Sequence, residues 1–150
     1  LDGGAPYYWT YETSDGEYMA VGSIEPQFFA ELVSGLGFST DEVPGQFELA
    51  RYDEMRSAFA ERFATKTRAE WTQIFEGTDA CVTPVLTWTE AAHSEHLTAR
   101  STLVTVGGVV QAAPAPRFSR TPCSVQGSAA QAGADTDQIL PDWGISARPT

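Results

Sequence analysis

A carboxylate followed at once by proline, set between an apolar run and an amphipathic one, constrains this chain more than any other feature. The stretch is Ala20-Val21-Gly22-Ser23-Ile24-Glu25-Pro26-Gln27-Phe28-Phe29. Proline suits the first turn of a helix, where its missing N–H costs nothing, and it pushes the preceding residue into extended backbone. A strand therefore runs directly into a helix, with Glu25 as the last extended residue. Its side chain stands beside the free N–H groups of the helix start, whose partial positive charge favours the ionised form. Glu25 is accordingly read as a lasting anion rather than a proton donor. Two roles stay open from the spacing alone: a plain helix cap, or a catalytic group on a strand-to-helix turn.

The remaining elements follow from periodicity and punctuation. Tyr7-Tyr8-Trp9-Thr10-Tyr11 and residues 18–24 are β-prone runs joined through Asp15-Gly16, which predicts a hairpin whose aromatics pair across the strands. Residues 26–36 read as a helix with Phe28, Phe29, Leu32, Val33 and Leu36 in the core. After a loop over 38–46, Tyr52, Met55, Phe59 and Phe63 form the apolar stripe of a second helix, and Asp53, Glu54, Glu61 and Arg62 form its solvated side. Thr67-Arg68-Ala69-Glu70 is a capping-box pattern opening a third helix, with Trp71, Ile74 and Phe75 inward and Gly77 as its stop.

Residues 79–86 form a short strand interrupted by Pro84, which belongs at a sheet edge or ends there. Cys81 within it is expected to be buried and inert, because nothing basic lies near it in sequence. Residues 89–93 and 94–99 look like short helical turns, and 101–106 with 109–112 around Gly107-Gly108 form a second hairpin. Beyond residue 112 the Pro, Gly, Ala and Ser content predicts an extended tail with only a brief helix at 135–140. The expected architecture is thus α+β: residues 1–112 as a small domain of β-hairpins and about three helices, and 113–150 as a tail that packs elsewhere.

Charge narrows the partners. With a formal net charge of -11, carried by 20 acidic against 9 basic residues, the chain lacks the clustered cations that nucleic acid or an anionic membrane surface requires. An acidic cytoplasmic protein without a membrane span is expected. Two cysteines, Cys81 and Cys123, make no disulfide framework. His93 and His96 are three apart but lack a third ligand at a suitable interval, so they are read as solvent-exposed and no metal is assigned. The first residue is Leu1 rather than methionine, which suggests processing, trimming or a piece of a longer chain.

Five ordered segments together resemble one family. Leu1-Asp2-Gly3-Gly4-Ala5-Pro6-Tyr7-Tyr8, Tyr11-Glu12-Thr13 with Asp15-Gly16, Ala20-Val21-Gly22 with Ile24-Glu25-Pro26-Gln27-Phe28, Asp79-Ala80-Cys81-Val82-Thr83-Pro84-Val85, and Ala115-Pro116-Arg117-Phe118-Ser119-Arg120-Thr121-Pro122 resemble the α-methylacyl-CoA racemases of the family III CoA-transferase superfamily. The Ile-Glu-Pro-Gln-Phe wording points to the racemase branch. The resemblance implies epimerisation of 2-methylacyl-CoA thioesters by 1,1-proton transfer through an enolate, with acyl-CoA as substrate and no cofactor. It implies a parent α/β Rossmann-like fold in an interlocked homodimer, with the active site between the large domain of one subunit and the small domain of the other.

The resemblance also implies what lies outside this chain. Family racemases carry one base in a Gly-His-Asp motif and another in a Gly-Asp-Phe-Gly-Gly motif, both upstream of the matching segments. Neither motif occurs here, where His93 lies in Ala-Ala-His-Ser and His96 in Ser-Glu-His-Leu. The chain therefore resembles the carboxy-terminal part of a racemase, inactive alone and completed by a large domain, on which the tail 113–150 is expected to pack, and by a second subunit. Within it Glu25 is, by resemblance, the acidic partner that hydrogen-bonds the histidine and stabilises its protonated form. Arg117 and Arg120 are read as tail anchors donating to carbonyls, with anion binding as the alternative. Two other functions remain: a non-catalytic docking module presenting exposed aromatics, and part of a family III CoA-transferase working through an aspartyl thioester.

Overall fold

The computed structural model describes residues 3–39 and 41–146. Leu1 and Asp2 of the resembling opening, Thr40, and residues 147–150 at the end of the expected tail lie outside the described residues. The chain divides into two compact units, residues 1–86 and 87–150. This boundary precedes the composition change at residue 113. The short helices and hairpin of 87–112 make their close contacts within the second unit, a grouping that composition does not register.

In the first unit, strands β1 (Tyr8–Glu12) and β2 (Tyr18–Gly22) pair antiparallel, Tyr8 opposite Gly22 and Glu12 opposite Tyr18. Strand β3 (Val82–Pro84) pairs antiparallel with β2 from its other side, so the order is β1-β2-β3 and Pro84 sits on an edge strand. Helices α1 (Pro26–Gly35), α2 (Tyr52–Phe63) and α3 (Arg68–Phe75) pack with this sheet. The period of two along the strands sends Tyr11, Met19, Val21 and Val82 inward, where they meet Leu32, Val33, Leu36, Met55, Phe59, Phe63, Trp71 and Phe75. The sheet aromatics do not pair across strands as expected. Trp9 stands opposite Val21, and Tyr11 instead stacks on Phe63 of α2 at 5.1 Å between ring centres. That arrangement covers the sheet with helices rather than with its own side chains.

Two expected core residues lie outside the core. Phe28 is only half-buried, since it stands in the first turn of α1 at the margin of the stripe made by 29, 32, 33 and 36. Phe29 is also half-buried but packs against the core. Ile74 is 37% exposed; at about 100° per residue it lies a quarter-turn round α3 from Phe75. The capping box of α3 forms as predicted: Thr67 Oγ1 accepts the Glu70 N–H at 3.2 Å, and Glu70 Oε2 accepts the Thr67 N–H at 2.8 Å. Trp71 Nε1 donates to the Phe63 carbonyl at 2.8 Å, which ties α3 to the end of α2.

Gly35 is required by packing rather than by backbone. A Cβ built there would lie 2.3 Å from Cε1 of Phe75. Alanine gains about 1 kcal/mol of helix propensity over glycine, but overpacking a filled core costs about 1–3 kcal/mol. Gly35→Ala is expected to be net destabilising, read as a lower urea midpoint at unchanged slope.

The second unit holds α4 (Trp88–His93), α5 (Glu95–Ala99), a hairpin of β4 (Leu103–Val106) and β5 (Val109–Ala112), and α6 (Thr136–Asp142). Gly107 and Gly108 take φ of +60° and +81°, the double left-handed turn that fits the strand twist. The sequence expectation of about three helices matches the substantial ones, α1 to α3; the described residues contain six, because the short α4 and α5, capped by Thr87 and Ser94, and the uncapped α6 add the rest. Helix α4 opens with a second capping box, Thr87 and Glu90. The fully packed hydrophobic core belongs to the first unit. Among the described residues, no helix is long and apolar enough to cross a membrane.

Candidate functional site

The strand-to-helix turn behaves as the sequence predicts in its backbone and differently in its side chain. Glu25 is the N-cap residue of α1, extended at φ -77° and ψ 144°, with Pro26 entering the first turn. Its carbonyl accepts the Phe29 N–H at 2.9 Å. Its carboxylate, however, makes no capping hydrogen bond, and among the described residues no ion pair engages it. The side chain is exposed. A cap role is therefore not what this carboxylate performs in the described structure.

The turn itself is tightly held. Ser23 is wholly buried; its N–H donates to the Tyr7 carbonyl at 2.9 Å and its hydroxyl to the Ala80 carbonyl at 2.5 Å. The Gly22 N–H donates to the Cys81 carbonyl at 2.9 Å. Gln46, from the loop between α1 and α2, donates its side-chain amide to the carbonyls of Ile24 at 2.7 Å and Ser23 at 3.4 Å. Sequence reasoning placed Gln46 in a loop and gave Ser23 no role, since a buried polar residue in a loop has no periodic signature.

Cys81 corrects the expectation of burial. It is exposed, because its φ of +54° interrupts the extended run just before β3 and swings the side chain out of the strand's alternation. Partial desolvation of its sulfur pushes the thiol pKa up, and the negative charges of Glu25 and Asp79 push it further the same way. The neutral thiol is favoured, so the site is not an activated nucleophile. An open cleft of about 460 Å³ lies on the uncovered sheet face, lined by Tyr8, Thr10, Ala20, Gly22, Cys81 and Thr83. Trp9 and Val21 line it as well, so the cleft mixes aromatic, aliphatic and hydroxyl-bearing side chains.

The first unit contains no histidine at all. His93 and His96 both lie in the second unit, on α4 and α5, and both are exposed as expected. Among the described residues, no three His, Cys, Asp or Glu side chains gather as a metal site. Arg117 donates to the Arg100 carbonyl, which is the anchoring role expected for it, and Arg120 is exposed. Residues including Val104, Pro114, Pro116, Arg117, Phe118 and Cys123 line a second cavity of about 450 Å³ within the second unit.

With this α+β fold and the isolated carboxylate on its turn, the class is set by comparison: the chain belongs to CoA-transferase family III, which it matches over residues 1–136. Among curated relatives, the alpha-methylacyl-CoA racemase of Mus musculus is 51% identical over 148 residues. The alpha-methylacyl-CoA racemase of Homo sapiens is 49% identical over 148 residues. Each alignment covers 97% of this chain and 39% of the relative, so the chain spans about two-fifths of their length. A CaiB/baiF CoA-transferase family protein of Caenorhabditis elegans is 34% identical over 118 residues, 78% of this chain and 33% of that protein. Two crystal structures of Rv3272 from Mycobacterium tuberculosis superpose with TM-scores of 0.62 and 0.64 at 18% and 17% identity. They match 79% of this chain and 34% and 35% of theirs, a likeness of fold.

Proposed function

We propose that this chain is the carboxy-terminal part of an α-methylacyl-CoA racemase, and that Glu25 is its contribution to the active site. The observation that carries the reading is an exposed carboxylate, without a local partner, on a turn whose Ser23 and Ile24 are held by hydrogen bonds. The carboxylate bonds nothing at its own helix start, so it is available to another group.

The reaction sets what that group must be. Inverting the carbon next to a thioester needs one base to take its proton, leaving an enolate, and an acid on the opposite face to return one. Each must stand within hydrogen-bond reach of that carbon's proton, and fixed donors must meet the enolate oxygen. Residues 1–86 hold no histidine, and His93 and His96 stand in Ala-Ala-His-Ser and Ser-Glu-His-Leu rather than in the family's Gly-His-Asp motif, so this reading takes the imidazole from protein outside this chain, in the large domain or a second subunit. Glu25 accepts its other N–H, fixing the tautomer and favouring the protonated ring. The acyl-CoA is substrate and no cofactor takes part.

The test is wash-in of deuterium at the α-carbon of a 2-methylacyl-CoA. The full-length protein is expected to exchange and racemise, and residues 1–150 alone to do neither. Exchange by the isolated chain would overturn its assignment as an incomplete site. The family's other chemistry, favoured by the Caenorhabditis elegans relative's name, predicts transfer of CoA to an acceptor acid without α-exchange.

A further inference from the structure

Gln46 is a polar side chain only 8% exposed, in a loop distant in sequence from the turn it touches. Its amide reaches the carbonyls of Ile24 at 2.7 Å and Ser23 at 3.4 Å. The buried Ser23 is in turn pinned to Tyr7 and Ala80 through its N–H and hydroxyl. Three separate parts of the chain thus converge by hydrogen bonds on the two residues that immediately precede Glu25. From this convergence we infer that Gln46 is a positioning residue that aims the Glu25 carboxylate, an inference resting on the reading of Glu25 above.

The physical need is local. Residues 23–25 lie past the end of β2 and before α1, so no strand ladder or helix bond fixes the Ser23 and Ile24 carbonyls. Pro26 restricts its own φ and disfavours helical backbone at Glu25. It does not fix the peptide planes before Glu25, which set where the Cα–Cβ bond of Glu25 points. Gln46 supplies donors to both of those planes. A carboxylate that must meet an imidazole from elsewhere tolerates little displacement, since a misplacement of about 1 Å can cost about 100-fold in rate.

A merely stabilising role for Gln46 and an aiming role differ in what they predict. The decisive comparison uses the full-length protein with Gln46→Met, which keeps length and volume but removes the donor, alongside Glu25→Gln and the double variant. Thr67→Ala, which loses the α3 cap away from the turn, serves as the stability control. Backbone hydrogen exchange over residues 22–25 is expected to speed up by about 10-fold in Gln46→Met. Its kcat for α-proton exchange is expected to fall about 10- to 100-fold with KM little changed. The double variant is expected to be no slower than Glu25→Gln alone, because a misaimed amide has no charge left to misplace.

Unchanged kcat in Gln46→Met, an equal loss in Thr67→Ala, or multiplying effects in the double variant would each overturn the inference while leaving the role of Glu25 intact. Unchanged kcat in Glu25→Gln itself would remove the role of Glu25 and the aiming role with it. Unchanged hydrogen exchange over 22–25 in Gln46→Met would show that the turn does not depend on this amide, whatever Glu25 does.

Discussion

Glu25→Gln in the full-length protein is expected to slow α-proton exchange of a 2-methylacyl-CoA by about 10- to 1,000-fold, below the roughly 100- to 10,000-fold of a direct acid–base group because Glu25 acts through the imidazole. The substitution keeps the side-chain length and one acceptor oxygen and removes the negative charge. Since the wild-type carboxylate caps no helix N–H and pairs with no described cation, its loss breaks no bond within the folded unit. Stability should therefore change by less than about 0.5 kcal/mol, as for surface sites away from special features. That separation makes the test clean: a slow enzyme with an unchanged urea midpoint places the effect in the reaction. Under the proposed reading kcat falls while KM stays, because the charge acts on the protonated imidazole and not on the bound thioester. An unchanged rate would leave Glu25 a residue of the turn alone. The thiol of Cys81 supplies a second readout, for the Glu25 charge helps hold its pKa up. Alkylation of Cys81 should become faster in Glu25→Gln.

Phe59→Ala is expected to remove a large share of the stability of the first unit. Phe59 is fully buried and its ring meets those of Tyr11, Phe29 and Phe38 at 6.1, 6.4 and 6.2 Å. Truncating a buried phenylalanine costs about 3–5 kcal/mol through lost transfer energy and the cavity left behind. At about 0.05–0.15 kcal/mol per residue, an ordinary domain of this size has a total on the order of 4–13 kcal/mol. The loss is thus a large share, and the unfolding midpoint followed by tryptophan fluorescence should drop sharply. Phe28→Ala is the contrast, since that ring is half-buried at the margin of α1 and its loss should cost well under half as much. Equal losses at 28 and 59 would mean that the core extends over the first turn of α1.

Much of the fold is legible where local chemistry decides it. The Thr67 capping box, the Gly107-Gly108 turn, the stripe of Met55, Phe59 and Phe63, and the extended Glu25 before Pro26 all stand where spacing puts them. Each depends on residues within a few positions of one another. The misreadings share the opposite property. Phe28 and Ile74 have core-like periodicity but sit where neighbouring elements cover them only in part. Tyr11 pairs with a helix ring 52 positions away rather than across its own hairpin. Cys81 leaves its strand because of a single left-handed residue that no pattern announces.

The sequence alone determined that a strand would pass into a helix with a carboxylate at the joint, because proline's ring restricts the backbone on both sides of that peptide bond whatever surrounds it. Tertiary structure alone decided that this carboxylate stays out of the helix start, exposed, while Gln46, Ser23, Tyr7 and Ala80 hold the residues before it. Those partners come from positions scattered over more than seventy residues. Hydrogen bonds between them exist only once the chain has closed on its core, so no local pattern encodes them.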